Sequence, residues 1–225
     1  MEKALLLVDL IKGFGQEGYD EDMYCKNVEK IKENLQRLVD YAKKNDMLVV
    51  YCCDSHEKDD FELKRNGGPW PDHCMRDTKG SEIVDWLPAK NVLQVTKDST
   101  ETDLLKFNNI SNDVDSFRIN KRVYSGFSNT PLDILLKHEG VKEVYIAGLV
   151  TSICVQHTAA DAFFKGYKVN IVENGCADIT TERHENAITY MKGNYAAEVV
   201  KINQETRLEK SHGRLNEQIW KKEMS

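Results

Sequence analysis

The 225-residue chain has no window near the roughly 18 consecutive apolar residues that a membrane-spanning helix requires. It also lacks the charged, then apolar, then small-residue succession of a secretory leader, so a cytoplasmic protein with no membrane contact is expected. A basic surplus is missing too. Lys and Arg number 31 against 37 Asp and Glu, a formal charge of −6, and Lys43 with Lys44 is the nearest thing to a basic cluster. Nucleic-acid binding needs a clustered basic face and is therefore excluded. Regular cysteine spacing is absent. The six cysteines, at 25, 52, 53, 74, 154 and 176, are irregularly placed in a long chain, which argues for reduced thiols over a disulfide framework. Cys74 is set aside as a metal ligand because it adjoins His73, and adjacent residues rarely chelate one ion comfortably. No internal repeat or low-complexity segment is visible.

What is present is an ordinary globular composition, 40% hydrophobic and 30% charged, in alternating strand and helix patterns. Apolar runs predict strands over 4–9, 48–53, 92–95, 143–147, 168–172 and 198–202. Helices are expected over 25–45, 81–85, 131–138, 155–165 and 181–194. In the first of them Val28, Ile31, Leu35, Leu38, Val39 and Ala42 keep the three-to-four spacing of a helix packed on a sheet. The alternation implies an α/β fold: a mainly parallel open sheet of about six strands, with helices on both faces in three Rossmann-like layers. One domain over 1–203 is expected, followed by a polar C-terminal extension over 204–225. A polar stretch between Lys97 and Asn120 is longer than a usual connection and is read as an insertion, with a short helix around Leu104 to Ile110 and an extra strand over 117–119. The extension is read as a solvated terminal helix or a subunit contact, and self-association as a homo-oligomer is left open.

Three segments carry candidate chemistry. Asp54-Ser55-His56 follows an apolar strand, and Gly67-Gly68-Pro69-Trp70-Pro71-Asp72-His73 follows after a charged turn. Asp54 and His56, two apart, share a face in extended chain, and with His73 they offer a carboxylate and two imidazoles to one divalent ion. As an arbitrary pair of histidines, His56 and His73 would read first as surface loop residues, and the other two segments are what shift that reading. Cys154 comes a few residues after the strand-ending Gly148, at the start of a helix whose dipole favours thiolate. A lone cysteine there is otherwise a small buried hydrophobe. Asp9 tips the opening apolar strand, at the carboxyl end where open α/β sheets place their ligands.

In order along the chain, Val8-Asp9 with Phe14, Asp54-x-His56, Gly-Gly-Pro-Trp-Pro-x-His73, Lys121-Arg-Val-Tyr-Ser-Gly-Phe127 and Gly148-x-x-Thr-x-x-Cys154-Val155 resemble the isochorismatase-like cysteine hydrolases. The Asp-x-His and Gly-Gly-Pro-Trp-Pro-x-His pieces resemble the nicotinamidase branch in particular. The resemblance implies a Cys154 nucleophile forming a thioester, Asp9 as base and then acid, and Lys121 as the fixed cation beside them. These are the roles that carboxamide hydrolysis demands at neutral pH. Lys97 also follows an apolar strand, but Lys121 carries the Tyr-Ser-Gly-Phe context.

The resemblance further implies an oxyanion hole from backbone amides of the 150–154 turn, with a cis peptide between Val150 and Thr151. It implies aromatic walls from Phe14, Trp70 and Tyr124, although aromatics also fill cores by default. It implies one divalent metal on Asp54, His56 and His73, zinc first and otherwise iron, manganese or magnesium. Glu62 stands where many relatives place serine, and either ligates directly or is a solvated member of the charged turn. Ser55 replaces a frequent tryptophan. The expected reaction is hydrolysis of nicotinamide to nicotinate and ammonia in NAD salvage. The alternatives are a metal-free hydrolase of isochorismate or N-carbamoyl amines, and a non-catalytic binding module.

Overall fold

In a computed structural model, which describes residues 1–96 and 114–211, two of the apolar runs become the central strands β1 (Lys3–Val8) and β2 (Leu48–Asp54). Every residue of β2 is buried, as is every residue of β1 after Lys3. Successive strand side chains point to opposite faces, so burial of all of them means both faces are covered. The remaining strands are β3 (Val92–Val95), β4 (Ser116–Lys121), β5 (Glu143–Leu149), β6 (Lys168–Ala177), β7 (Glu198–Ile202) and β8 (Leu208–Lys210). Their order is β3-β4-β2-β1-β5-β6-β7-β8, all parallel except β8, which runs antiparallel to β7.

The chain builds outward from β1 through β2 on one side and β5 on the other. That reversal is a topological switch point, and it opens a crevice at the carboxyl ends of the central strands. The covering helices are α1 (Lys32–Lys44), α2 (Leu132–His138), α3 (Gln156–Phe164) and α4 (Thr181–Asn194). Leu35, Leu38, Val39 and Ala42 form the buried stripe of α1, and the Thr180 hydroxyl caps α4 by accepting the Arg183 N–H. Among the described residues no helix is long and apolar enough to cross a membrane.

Several local expectations change. The helix read over 25–45 begins as a 3-10 segment, Lys26–Lys30, before α1. There the Asn27 side chain donates to the carbonyls of Asp178 and Ile179, at 2.8 and 3.1 Å, and that tertiary tie holds the tighter turn. No α-helix forms over 81–85, where a 3-10 turn, Lys79–Ser81, ends at Ser81. Ile83 instead bridges Ile11, and the Val84 N–H donates to the Leu10 carbonyl, contacts that need extended chain. The sheet has eight strands because the possible strand at 117–119 becomes β4 and because β8 falls in the stretch read as a polar tail. Lys97, the helix expected near 104–110 and the chain beyond 211 lie outside the described residues.

One glycine is required for the crevice to exist. Gly148 pairs with Val8 across β1 and β5 and has φ of +130°. A Cβ there would sit 2.0 Å from the Val8 carbonyl oxygen, a collision with backbone that no rotamer relieves. Gly148→Ala combines that overlap with a disfavoured φ, so it is expected to cost about 3 kcal/mol or more of unfolding free energy, measured by urea titration against wild type.

Candidate active site

Three strand tips and one turn bring the first group of predicted residues together. Asp54, the last residue of β2, is in register with Lys121, the last of β4. Asp9 follows β1 with φ of +52°, a left-handed conformation that Asp tolerates better than most residues. Its Oδ1 accepts the Asp54 N–H at 2.8 Å, which locks one strand tip to the next. The Lys121 ammonium is completely buried. It lies 2.8 Å from Asp9 Oδ2 and 2.5 Å from Asp54 Oδ1, and donates towards Cys154 Sγ at 3.6 Å.

The protonation pattern follows from burial and these neighbours. Burial and the Asp54 charge raise Asp9 to about 7, against the pull of Lys121. Asp54 is held below the usual carboxylate range, because Lys121 and His56 outweigh its burial. Burial works against the Lys121 ammonium, but the two carboxylates overcome it and keep the side chain charged. Burial pushes the Cys154 thiol well above its ordinary value, with Lys121 opposing and Asp9 adding to the rise. Burial thus favours the thiol form of Cys154, beside a carboxylate raised to about 7.

Cys154 sits in a π-helical turn, Thr151–Val155, ahead of α3. Such turns are uncommon and recur at functional sites. The Val150 carbonyl accepts the N–H groups of Ile153 and Val155, and the Ser152 N–H donates to Asp178 Oδ2 at 2.7 Å. The expected cis bond between Val150 and Thr151 is absent; that peptide is trans. With Val150 extended at φ −89° and ψ 150°, the chain enters the turn without the roughly 3–4 kcal/mol that a non-proline cis bond costs.

The second group lies alongside. Asp54, His56, Glu62 and His73 are all buried, and each offers a ligand atom within 4.8 Å of the others. His56 Nδ1 is 2.8 Å from Asp60 Oδ2, and His73 Nδ1 is 2.8 Å from the Pro71 carbonyl. Both partners can only accept, so each ring donates from Nδ1 and leaves Nε2 for the cluster. His56 Nε2 is buried and makes no hydrogen bond, although Glu62 Oε1 stands 2.9 Å away and Asp54 Oδ2 3.6 Å. Burial alone would lower His56, yet Asp54, Glu62 and Asp60 raise it to about 10. The pocket of carboxylates thus demands a positive charge at that nitrogen. Two imidazoles and two carboxylates with an orphaned nitrogen among them fit a divalent ion such as zinc, iron or manganese.

Gly68 explains how Glu62 reaches the cluster. A Cβ on Gly68 would lie 2.1 Å from the Glu62 carbonyl carbon, so the Gly-Gly-Pro-Trp segment can lie directly on the Glu62 backbone. The Trp70 N–H donates to the Glu62 carbonyl at 3.1 Å, and Leu63 bridges Trp70. Glu62 is 3% exposed, which rules out the solvated reading.

Cys154, Asp9, Asp54, Glu62 and His73 all face one cavity of about 160 Å³. Phe14, Trp70 and Tyr124 line it as well. The Phe14 ring lies 5.5 Å from His73, and Trp70 Nε1–H donates to the Tyr124 hydroxyl at 2.9 Å. Ser55 is buried elsewhere, its N–H donating to the Lys121 carbonyl. Sequence reasoning missed Tyr24, Leu149, Ile153 and Ile179 in the lining, and Asp60 behind His56. Asp60 had one available signal, its place four residues after His56, but it is one of several carboxylates in that turn.

The Isochorismatase domain family model matches residues 3–102 and 93–204. The pyrazinamidase of Pyrococcus horikoshii, solved in complex with zinc, is 29% identical, with a TM-score of 0.72 over 89% of this chain and 99% of its own. The nicotinamidase PncA from Bacillus subtilis is also 29% identical, with a TM-score of 0.68 over 88% of this chain and 99% of its own. Enterobactin synthase component B of Escherichia coli (strain K12) is 25% identical over 85% of this chain and 59% of its own length. Proteins with different names thus match most of this chain, and the likeness speaks for scaffold before substrate. On the family match and the shared fold, this chain belongs to the isochorismatase family of hydrolases.

Proposed function

We propose that the protein is a nicotinamidase that hydrolyses nicotinamide to nicotinate and ammonia, a step of NAD salvage. The observation that carries this reading is one small cavity onto which both Cys154 and three members of the ligand cluster, Asp54, Glu62 and His73, open, with His56 buried directly behind them. An aromatic wall, a nucleophile and a ligand set within one space of about 160 Å³ suit a one-ring planar carboxamide. When bound, a divalent ion on those four residues supplies a Lewis-acid anchor for a neutral pyridine-type nitrogen.

The chain's own residues account for the bond changes. Asp9 takes the Cys154 proton as the sulfur attacks the carboxamide carbon, giving a tetrahedral oxyanion. Backbone amides of the 150–154 turn provide the donors for that oxyanion, those of Ser152 and Ile153 being committed to Asp178 and Val150. Collapse breaks the C–N bond, and Asp9 returns its proton to the departing nitrogen, releasing ammonia and leaving a thioester. Water then attacks the thioester carbonyl, with Asp9 accepting its proton. The second collapse frees the acid and restores the thiol. A carboxylate near 7 is suited to both directions of transfer. Lys121 keeps a positive charge beside the group that is anionic at each stage.

Charge favours a neutral amide over the substrates of other family members. The described lining contains Asp9, Asp22, Asp54 and Glu62 but no Lys or Arg, so no cationic side chain of the lining pairs with a substrate carboxylate. Isochorismate and N-carbamoyl amino acids bring carboxylates into that field, and like-charge contacts cost several kcal/mol. We expect kcat/KM for such anions to fall about 100-fold or more below that for nicotinamide, in parallel assays with one enzyme preparation; parity would refute the neutral-amide reading. Ammonia release from nicotinamide should cease on treatment with EDTA, return on adding zinc, iron or manganese, and fall by about 10⁴-fold or more in Cys154→Ala. Absence of turnover in the fully metallated wild type would refute the assignment.

A further inference from the structure

Asp60 takes no part in the chemistry above, yet it is 5% exposed and every polar group it offers is engaged. Oδ2 accepts from His56 Nδ1 at 2.8 Å and from the Glu57 N–H at 3.0 Å, and Oδ1 accepts from the Arg122 guanidinium. Its carbonyl accepts the Leu63 N–H at 3.2 Å and the Asn66 side-chain amide at 2.7 Å. Asp60 therefore orients the His56 ring and closes the loop that carries Glu62.

The two histidines of the cluster differ in this respect. His73 Nδ1 faces a neutral carbonyl, whereas His56 Nδ1 faces a carboxylate. A carboxylate behind a ligating imidazole fixes its tautomer and strengthens the other nitrogen as a donor. Arg122 reaches Asp59 as well as Asp60, so it also offsets the density of acidic groups in the 57–62 turn. Arg122 follows Lys121 directly, and β4 thus delivers one cation to the strand-tip carboxylates and the next to Asp60.

We propose that Asp60, clamped by Arg122, is a positioning residue that sets the metal affinity of the cluster through His56. This rests on reading Asp54, His56, Glu62 and His73 as the ligand set. Asp60 touches neither the cavity nor the reacting atoms in that scheme; it acts through the imidazole it holds.

The test is direct titration of the metal-free protein with Zn²⁺ or Mn²⁺ against a competing chelator, without substrate. Asp60→Asn keeps the shape and one acceptor oxygen but loses the charge, and its dissociation constant should rise about 10-fold. Asp60→Ala removes both, and the rise should approach about 100-fold. Asp59→Asn removes a neighbouring charge and its own ion pair with Arg122 without touching His56, and should stay within about twofold of wild type. Melting temperatures of the metal-free variants, recorded alongside, establish that Asp60→Asn folds. Tight wild-type binding with an unchanged Asp60→Asn constant, or equal losses in Asp59→Asn and Asp60→Asn, would overturn the proposal while leaving the ligand set intact. Failure of wild type to bind either ion would overturn the ligand set, and the proposal with it.

Discussion

The site depends on one completely buried ammonium. Lys121 sits between Asp9 and Asp54 at the tips of β4, β1 and β2, and 3.6 Å from Cys154 Sγ. Burying a charge without partners is prohibitive, so these residues are mutually obligatory. Removing both carboxylates would strand a cation in the interior, and removing the cation would strand two buried acids. The cluster acts as a constraint on strand register, because β2 and β4 must end level for Asp54 and Lys121 to meet.

The ligand cluster shares Asp54 with that ion group, which couples the two halves of the cavity. One oxygen of Asp54 serves Lys121 and the other faces His56. The loop supplying Glu62 and His73 has little regular structure, and it is held by close backbone packing at Gly68 and by the bridge between Leu63 and Trp70. Rigidity here comes from steric fit and local hydrogen bonds, while rigidity at the strand tips comes from the sheet. Both are needed to keep nucleophile and ligands open to the same small space.

Much of the scaffold was legible in the chain. Continuous apolar runs revealed the parallel strands, since strands buried on both faces have no polar alternation to obscure them. The three-to-four spacing revealed α1, and the carboxyl ends of the strands pointed to Asp9, Asp54 and Cys154. Other features were hidden for identifiable reasons. β8 has the polar sequence Leu208-Glu209-Lys210, and only its pairing with β7 makes it a strand. The 81–85 segment looks helical in isolation but is pulled straight by Ile11. Asp60 is indistinguishable from its acidic neighbours until the loop folds it behind His56. The trans peptide before Thr151 shows that a family resemblance does not carry every backbone detail across.

The sequence by itself determined which groups are available and in what order: a thiol at 154, carboxylates at 9 and 54, an ammonium at 121, imidazoles at 56 and 73, and strands that end where these begin. Periodicity and strand-end position are local properties, readable from a few neighbouring residues. The tertiary structure decided protonation state, the place of Glu62 in the ligand cluster and the identity of the residue holding His56. Those depend on burial and on groups far apart in the chain, such as Cys154 with Lys121 and Asp60 with Arg122. Desolvation and charge pairing act through space, and a one-dimensional reading has no measure of either.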